Sequence, residues 1–219
     1  MRNGILIVCV EGNIGSGKST LLQRLLSAGF AVFPEDVAAW EPFLEKMYNG
    51  ATRQSDLLQL RILADHARLL RAVDALDRSS LKTLPDGRPV VFVERWVGAA
   101  EHVFMRHASQ ADHLSLSAEG RRLWEDCADL LGVRRFEPDA YVYVEVDPRA
   151  AHARMAARAS HRASERNVPF EYLEALHVLY TDFVNRLEKE GAHMLRIQNE
   201  NNTKESFETE AVNEILARL

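Results

Sequence analysis

The chain has 219 residues, of which 47% are hydrophobic and 27% charged, a size that fits one domain with one buried core. Its formal net charge of −5 provides no basic field for the phosphate backbone of DNA or RNA, so a nucleic acid polymer is not an expected partner. The two cysteines, Cys9 and Cys127, provide no disulfide framework, and a reducing compartment is expected. The first apolar run, residues 5–10, is too short for a membrane span or a signal peptide, so we expect no membrane partner and a cytoplasmic or nucleocytoplasmic location.

Apolar, β-branched runs alternate with stretches of helical periodicity along the chain. The runs lie at residues 5–10, 31–33, 90–93, 141–146 and 194–197. This alternation predicts an α/β fold, in which helices cover both faces of a parallel sheet. We expect residues 1–219 to form a single domain.

A complete phosphate loop follows the first apolar run. Residues 11–20 read Glu-Gly-Asn-Ile-Gly-Ser-Gly-Lys-Ser-Thr, and the glycines allow successive backbone N–H groups to turn towards phosphates. Lys18 is expected to reach the outer phosphates, and Ser19 to hold a magnesium ion at the start of the next helix. The predicted triphosphate site comprises Gly12, Asn13, Ile14, Gly15, Ser16, Gly17, Lys18, Ser19 and Thr20.

The longest predicted helix runs from about Arg53 to Arg78 and carries apolar residues on nearly every turn. It should therefore be buried on more than one side. Gln59 and His66 lie seven residues apart, which puts both side chains on one face with only about 20° of drift. A polar face on an otherwise apolar helix indicates the wall of a pocket.

Helix boundaries are also readable in the second half of the chain. Asp147 and Pro148 are typical of a helix start, and Pro169 opens a helix that Gly191 closes. Residues 199–203 predict a polar loop before a final short helix.

Three arginines project from one face of the helix that begins after residue 147. Arg154, Arg158 and Arg162 are spaced i, i+4, i+8, with no acidic residue among them on that face. Aligned arginines repel one another, and an anionic ligand relieves that repulsion. Arginines kept only for the solubility of a surface helix are the alternative.

Five motifs lie in register along nearly the whole chain. They are the phosphate loop, Pro-Glu-x-Val-x-x-Trp at 34–40, Tyr48 eleven residues before Gln59, Glu94-Arg95 at a strand end, and the arginines before residues 169–173. In this combination the chain resembles the deoxyribonucleoside kinase family, which includes deoxycytidine, deoxyguanosine, mitochondrial thymidine and insect multisubstrate kinases. The resemblance implies a P-loop kinase fold with a five-stranded parallel sheet in the order 2-3-1-4-5, a lid at about residues 154–166, and a homodimer.

The resemblance also implies a reaction in which the 5′-hydroxyl of a deoxyribonucleoside attacks the γ-phosphoryl group of ATP, bound with Mg²⁺. Glu35 then matches the general base, although Asp36 beside it is a rival carboxylate. Arg95 matches the residue that holds the 5′-oxygen and the base, and Glu94 would contact the Mg²⁺ shell; an ion pair between the two is the alternative. Trp96 departs from the serine that is usual after Glu-Arg.

The lid and the ATP site follow from the same resemblance. Arg154, Arg158 and Arg162 resemble the lid arginines that embrace the transferring phosphoryl group. The family packs backbone around the adenine at a loop that corresponds here to Gln198, Asn199 and Glu200.

The nucleoside site is expected at different positions. The amide of Gln59 can donate and accept hydrogen bonds at once, which suits a base edge, and Trp40 and Phe104 would sandwich the ring. Tyr48 and Glu165 match the residues that grip the sugar 3′-hydroxyl, and Tyr48 would favour a 2′-deoxy sugar; a purely structural tyrosine is the alternative.

Base preference depends on two further positions. Deoxycytidine-type enzymes have an Arg and Asp pair near the base, and His66 and Ala100 stand at the equivalent places. Losing the pair leaves room for a 5-methyl group, so we expect thymidine and deoxyuridine to be preferred, with deoxycytidine tolerated. His66 could instead be a core histidine with satisfied hydrogen bonds.

Two other functions remain open at this point. A nucleoside monophosphate kinase of the thymidylate type shares the fold, but it needs a further cationic site for the acceptor phosphate, and no Asp-Arg-Tyr motif is present. A nucleotide-binding regulator without catalysis would have no use for Glu35, Arg95 and the lid arginines together.

Overall fold

A five-stranded parallel sheet, ordered β2-β3-β1-β4-β5, forms the centre of the computed structural model, which describes residues 1–49, 54–110, 116–158, 165, 168–199 and 204–219. The strands are β1 Leu6–Glu11, β2 Ala31–Phe33, β3 Val90–Glu94, β4 Ala140–Glu145 and β5 Met194–Gln198. Register is parallel throughout, with Leu6 opposite Val90 and Val8 opposite Ala140. The predicted fold class and strand order are confirmed.

Helices cover both faces of the sheet. They are α1 Lys18–Ser27, α2 Val37–Tyr48, α3 Gln54–Asp74, α4 Val97–Ala99, α5 Met105–Gln110, α6 Ala118–Leu130, α7 Pro148–Arg158, α8 Phe170–Lys189 and α9 Lys204–Arg218. A π-helical turn, Ala100–Phe104, joins α4 to α5, and 3-10 turns lie at Arg78–Ser80 and Val133–Arg135. None of the helices in the described ranges has both the length and the apolar character that crossing a membrane requires.

The hydrophobic core has two parts, one on each face of the sheet. Side chains alternate between faces along a strand, so Val8 packs with α1 and α9 while Ile7 packs with α3, α6 and α8. Both residues are fully buried, as expected of a central parallel strand. The continuous apolar run that predicted β1 is therefore explained by burial on both faces.

Two helix predictions need correction. The long helix α3 ends at Asp74 rather than near Arg78, because Asp77 starts a separate 3-10 turn by accepting a hydrogen bond from the Ser79 N–H at 2.9 Å. The final helix, α9, has 15 residues and is not short. The predicted cap of α7 is present, since Asp147 Oδ1 accepts from the Arg149 N–H at 2.8 Å.

The parallel arrangement brings three strand ends to one edge of the sheet. The phosphate loop follows β1, Glu35 follows β2, and Glu94 and Arg95 stand at the end of β3. Ligands of open parallel sheets bind at this carboxyl edge. The order of the strands therefore puts the sequence motifs side by side.

Candidate active site

A pocket lies at this edge and is bounded by the phosphate loop, the ends of β2 and β3, and helices α2 and α3. It collects most of the side chains that the sequence singled out. Those that line it are Ile14, Gly15, Gly17, Lys18, Ser19, Thr20, Glu35, Trp40, Tyr48, Gln59, His66, Glu94, Arg95, Ala100, Phe104, Arg158 and Glu165.

Other predicted site residues lie outside the lining of this pocket. They are Gly12, Asn13, Ser16, Arg154, Gln198 and Asn199. Arg162 and Glu200 are outside the described residues, as are positions 159–164 and 166–167 of the predicted lid.

The phosphate loop is tightly folded against α7. Gly15 has a φ of +79°, and a Cβ there would lie 2.4 Å from the carbonyl oxygen of Ala151. Lys18 Nζ donates to the carbonyl oxygens of Gly12 and Asn13 at 2.9 and 2.8 Å. Burial, and then the charge of Arg95, lower the pKa of Lys18 to about 7. A bound phosphate would relieve this by favouring the charged ammonium group.

Glu35 and Arg95 form a buried ion pair across the ends of β2 and β3. The Glu35 side chain is only 9% exposed. Arg95 Nε donates to the Tyr180 hydroxyl at 2.9 Å, and its Nη2 donates to the Gly12 carbonyl at 3.1 Å, so the guanidinium is held on three sides. Burial raises the pKa of the Glu35 carboxyl, although the charge of Arg95 opposes the shift. The site thus holds a carboxylate of increased basicity beside a fixed cation.

The rival carboxylate, Asp36, has a structural role. Its Oδ1 accepts a hydrogen bond from the Ala39 N–H at 3.2 Å and caps helix α2, and the residue is exposed. Glu35 lines the pocket and Asp36 does not. Of the two adjacent acids, only Glu35 is placed to accept a proton from a ligand in the pocket.

Glu94 links the start of α1, at the end of the phosphate loop, to the segment that follows β2. Its Oε1 accepts from the Ser19 hydroxyl at 3.1 Å and its Oε2 from the Glu35 N–H at 3.3 Å. Arg95 pairs with Glu35 rather than with this neighbour. The hydroxyl and carboxylate oxygens of Ser19 and Glu94 are donors of the type that Mg²⁺ prefers. No cluster of three or more His, Cys, Asp or Glu side chains suited to a metal occurs in the described part of the chain.

The far end of the pocket carries two unsatisfied polar side chains. Gln59 and His66 are 5% and 6% exposed, and within the described structure Gln59 Oε1 and His66 Nδ1 have no hydrogen-bond partner. Burial lowers the pKa of His66 to about 4, so its ring is neutral near pH 7. Buried polar atoms are normally paired, and both of these side chains line the pocket. The predicted polar face of α3 is therefore a pocket wall.

The two described lid arginines behave differently. Arg158 lines the pocket and makes two hydrogen bonds to Glu165, at 2.7 and 2.9 Å. Arg154 Nη2 donates at 2.7 Å to the carbonyl oxygen of Asn199, whose side chain in turn donates to Ser16 O at 2.7 Å. Arg154 therefore lies behind the phosphate loop rather than in the pocket, while the exposed Gln198 side chain bonds to Glu145.

Three residues that form this site had no assigned role from the sequence. Glu11 is fully buried at the end of β1, and its charge directly before Gly12 was a signal that could have been used. Trp96 is buried, lines the pocket beside His66 with ring centroids 5.1 Å apart, and donates from its indole to the Phe136 carbonyl. Tyr180 lies within α8, where no local pattern marks it as a partner of Arg95.

Comparisons with known proteins agree with this arrangement. Residues 8–218 match the family profile described as deoxynucleoside kinase. A Frog virus 3 (isolate Goorha) protein whose name places it among deoxynucleoside kinases is 31% identical over 180 residues, which are 80% of this chain and 80% of that protein. Mitochondrial thymidine kinase 2 of Homo sapiens is 29% identical over 190 residues, which are 81% of this chain and 64% of that protein.

Solved structures give the same fold. Deoxyadenosine kinase from M. mycoides with bound dCTP superimposes with a TM-score of 0.74 at 17% identity, over 97% of this chain and 100% of that chain. The profile match and the viral relative extend over most of the sequence. The chain therefore belongs to the deoxynucleoside kinase family, whose members are ATP-dependent phosphotransferases.

Proposed function

We propose that the chain transfers the γ-phosphoryl group of ATP to the 5′-hydroxyl of a deoxyribonucleoside, giving the 5′-monophosphate for nucleotide salvage. The observation that carries this proposal is the buried Glu35–Arg95 pair, which shares one pocket with Lys18 and Ser19 of the phosphate loop. Glu35 takes the hydroxyl proton, and Arg95 holds the oxygen in line with the phosphate.

Magnesium would be held by Ser19 and Glu94 together with phosphate oxygens and water, since Mg²⁺ usually takes only one or two protein ligands in such sites. The proximity of the two oxygen donors, 3.1 Å, supports this. When bound, the ion neutralises charge on the phosphates.

Arg158 and Glu165 would exchange partners when the substrates bind. In the structure they pair with each other. In the complex, Arg158 would turn to the transferring phosphoryl group, with Arg154 and Arg162 of the lid (about residues 154–166) contributing further charge. Glu165 would then accept from the sugar 3′-hydroxyl together with Tyr48.

The base would stack between Trp40 and Phe104 and bond to Gln59. Thymidine and deoxyuridine are the preferred substrates in this proposal, with deoxycytidine tolerated. Support comes from the neutral ring of His66 and the small side chain of Ala100, because both line the pocket and neither places a charge or a clash beside a 5-methyl group.

Base choice can be tested by restoring the charged pair. The double variant His66→Arg with Ala100→Asp should raise the ratio of kcat/KM for deoxycytidine to that for thymidine by at least about 10-fold, since hydrogen-bonded discrimination exceeds that of a single methyl group. The measurement is a competition assay with all four deoxynucleosides. An unchanged ratio, or a wild-type preference for a purine deoxynucleoside, would contradict this assignment.

The charges in the pocket favour a neutral acceptor over a nucleotide acceptor. Among the described residues that line it, the arginines are Arg95 and Arg158, and each is paired with a carboxylate, Glu35 or Glu165. A monophosphate kinase needs a further cation for the acceptor phosphate, and a regulator needs no general base.

An acceptor panel separates these functions. With ATP and Mg²⁺, thymidine should be phosphorylated, while thymidine 5′-monophosphate and water should accept phosphoryl groups much more slowly. A Lys18→Met variant is the control. Activity that persists in a preparation of this variant would come from a contaminating kinase. Faster transfer to thymidine 5′-monophosphate would identify a monophosphate kinase, and transfer to none of the three acceptors would favour a regulator.

We also propose a homodimer in the cytoplasm or the nucleus, formed through a helical face. Leu57 on α3 and Leu123 on α6 support this, because the two helices pack side by side and these leucines are 48% and 50% exposed in the single chain. Sedimentation analysis measures the oligomeric state.

A further inference from the structure

The carboxylate of Glu11 is buried at the end of β1, directly before the phosphate loop, and no solvent reaches it. Its Oε1 accepts hydrogen bonds from the Trp96 N–H at 3.0 Å and from the Cys9 thiol at 3.4 Å. Its Oε2 has no partner among the described residues. Burying a carboxylate is unfavourable unless it is paired or hydrogen-bonded, so a buried Glu at this position calls for an explanation.

The backbone next to this carboxylate is strained. Arg95 has a φ of +54°, in the left-handed region that is unfavourable for a residue with a long side chain. Such a conformation persists only when the surrounding structure holds it. The Arg95 N–H donates to the Val10 carbonyl at 3.0 Å, and the next N–H, of Trp96, donates to Glu11. The end of β1 therefore pins the chain on both sides of the strained residue.

This strained turn determines where the Arg95 side chain goes. From it the guanidinium reaches Glu35, the hydroxyl of Tyr180 and the carbonyl of Gly12. Without an acceptor for the Trp96 N–H, that buried donor would be unpaired and the turn could relax towards ordinary φ values. The guanidinium would then leave Glu35.

The geometry points to Glu11 as a positioning residue for phosphoryl transfer: its carboxylate holds the Trp96 N–H, and thereby the left-handed backbone of Arg95, so that the guanidinium faces Glu35. The inference rests on the proposed function, in which Arg95 holds the reacting oxygen. Glu11 touches neither substrate in this account and acts only through Arg95.

Two variants distinguish the effect of the hydrogen-bond acceptor at Trp96 from the effect of the negative charge of Glu11. Glu11→Gln removes the charge but keeps an acceptor at the position of Oε1, whereas Glu11→Asp keeps the charge and withdraws it from Trp96 by one methylene. Glu11→Gln should retain most of the wild-type kcat. Glu11→Asp should lose about 100-fold, the usual effect of displacing a reacting group by about 1 Å, with little change in KM for ATP.

A double-mutant cycle tests whether the effect passes through Arg95. In an Arg95→Met background, Glu11→Asp should cause no further loss of kcat, because the cationic group that it positions is already gone. The matched control is Asp139→Ala. Asp139 directly precedes β4, and its carboxylate also accepts a hydrogen bond from a β1 N–H, that of Ile7 near the opposite end of the strand, at 2.9 Å. This variant should lower the melting temperature without changing kcat.

The amide of Trp96 provides a test that needs no variant, since its hydrogen exchange in the wild-type protein should be as slow as that of the β3 amides. Fast exchange at Trp96, a Glu11→Asp variant as active as Glu11→Gln, or multiplicative losses in the cycle would each overturn the inference. A wild-type protein without kinase activity would instead refute the proposed function, so the two failures are distinguishable.

Discussion

Replacing Glu35 with Gln should lower kcat by about 10²–10⁴-fold, the range that a general base contributes. Gln keeps the size of the side chain and can still accept a hydrogen bond from Arg95, but it cannot take the proton of the attacking hydroxyl. ATP binding should change little, because in the proposed function Lys18 and the phosphate loop bind the nucleotide. Steady-state kinetics with thymidine and ATP, together with nucleotide titration of the variant, measure both quantities.

The neighbouring acid supplies a matched control for this experiment. Asp36→Asn removes a charge one residue away but keeps an oxygen that can cap α2, so its turnover should stay near that of the wild type. Near-normal turnover in Glu35→Gln, or a collapse in Asp36→Asn instead, would remove Glu35 from the role of base.

Replacing Arg95 with Met should lower kcat by about 10²–10³-fold, the effect of losing one preorganised group that stabilises charge in the transition state. It should also change the pH dependence of the remaining activity. The positive charge of Arg95 lowers the pKa of Glu35, and burial raises it. Without Arg95, the pKa of Glu35 rises further. The base is active when deprotonated, so the acid limb of the kcat/KM profile should move to higher pH.

Two further variants make this result interpretable. Tyr180→Phe removes the hydrogen bond to Arg95 Nε and leaves its charge, so it should lower kcat far less and leave the acid limb in place. Arg95→Lys keeps a charge near Glu35 in case the Met variant is too unstable to assay, and its acid limb should stay closer to that of the wild type. An acid limb that does not move in Arg95→Met would mean that the ion pair does not control the base.

Much of this arrangement is encoded in local sequence. The order of β1 and the phosphate loop follows from an apolar run ending in a glycine-rich segment, and the wall of the pocket follows from two polar positions, Gln59 and His66, seven residues apart on an apolar helix. These features are readable because hydrophobic periodicity and turn chemistry act over a few residues.

The sequence by itself determined the sheet, the phosphate loop and many of the residues that line the pocket, among them Glu35, Gln59 and Arg95. Only the tertiary structure decided how they pair: Arg95 with Glu35 rather than Glu94, Arg158 with Glu165, Arg154 with the loop behind the phosphate site, and Glu11 with the N–H of Trp96. These contacts join residues brought together by strand order and by the left-handed turn at Arg95, and no spacing along the chain specifies either. Burial then favours these pairings, because a charge removed from water needs an oppositely charged or hydrogen-bonding partner nearby.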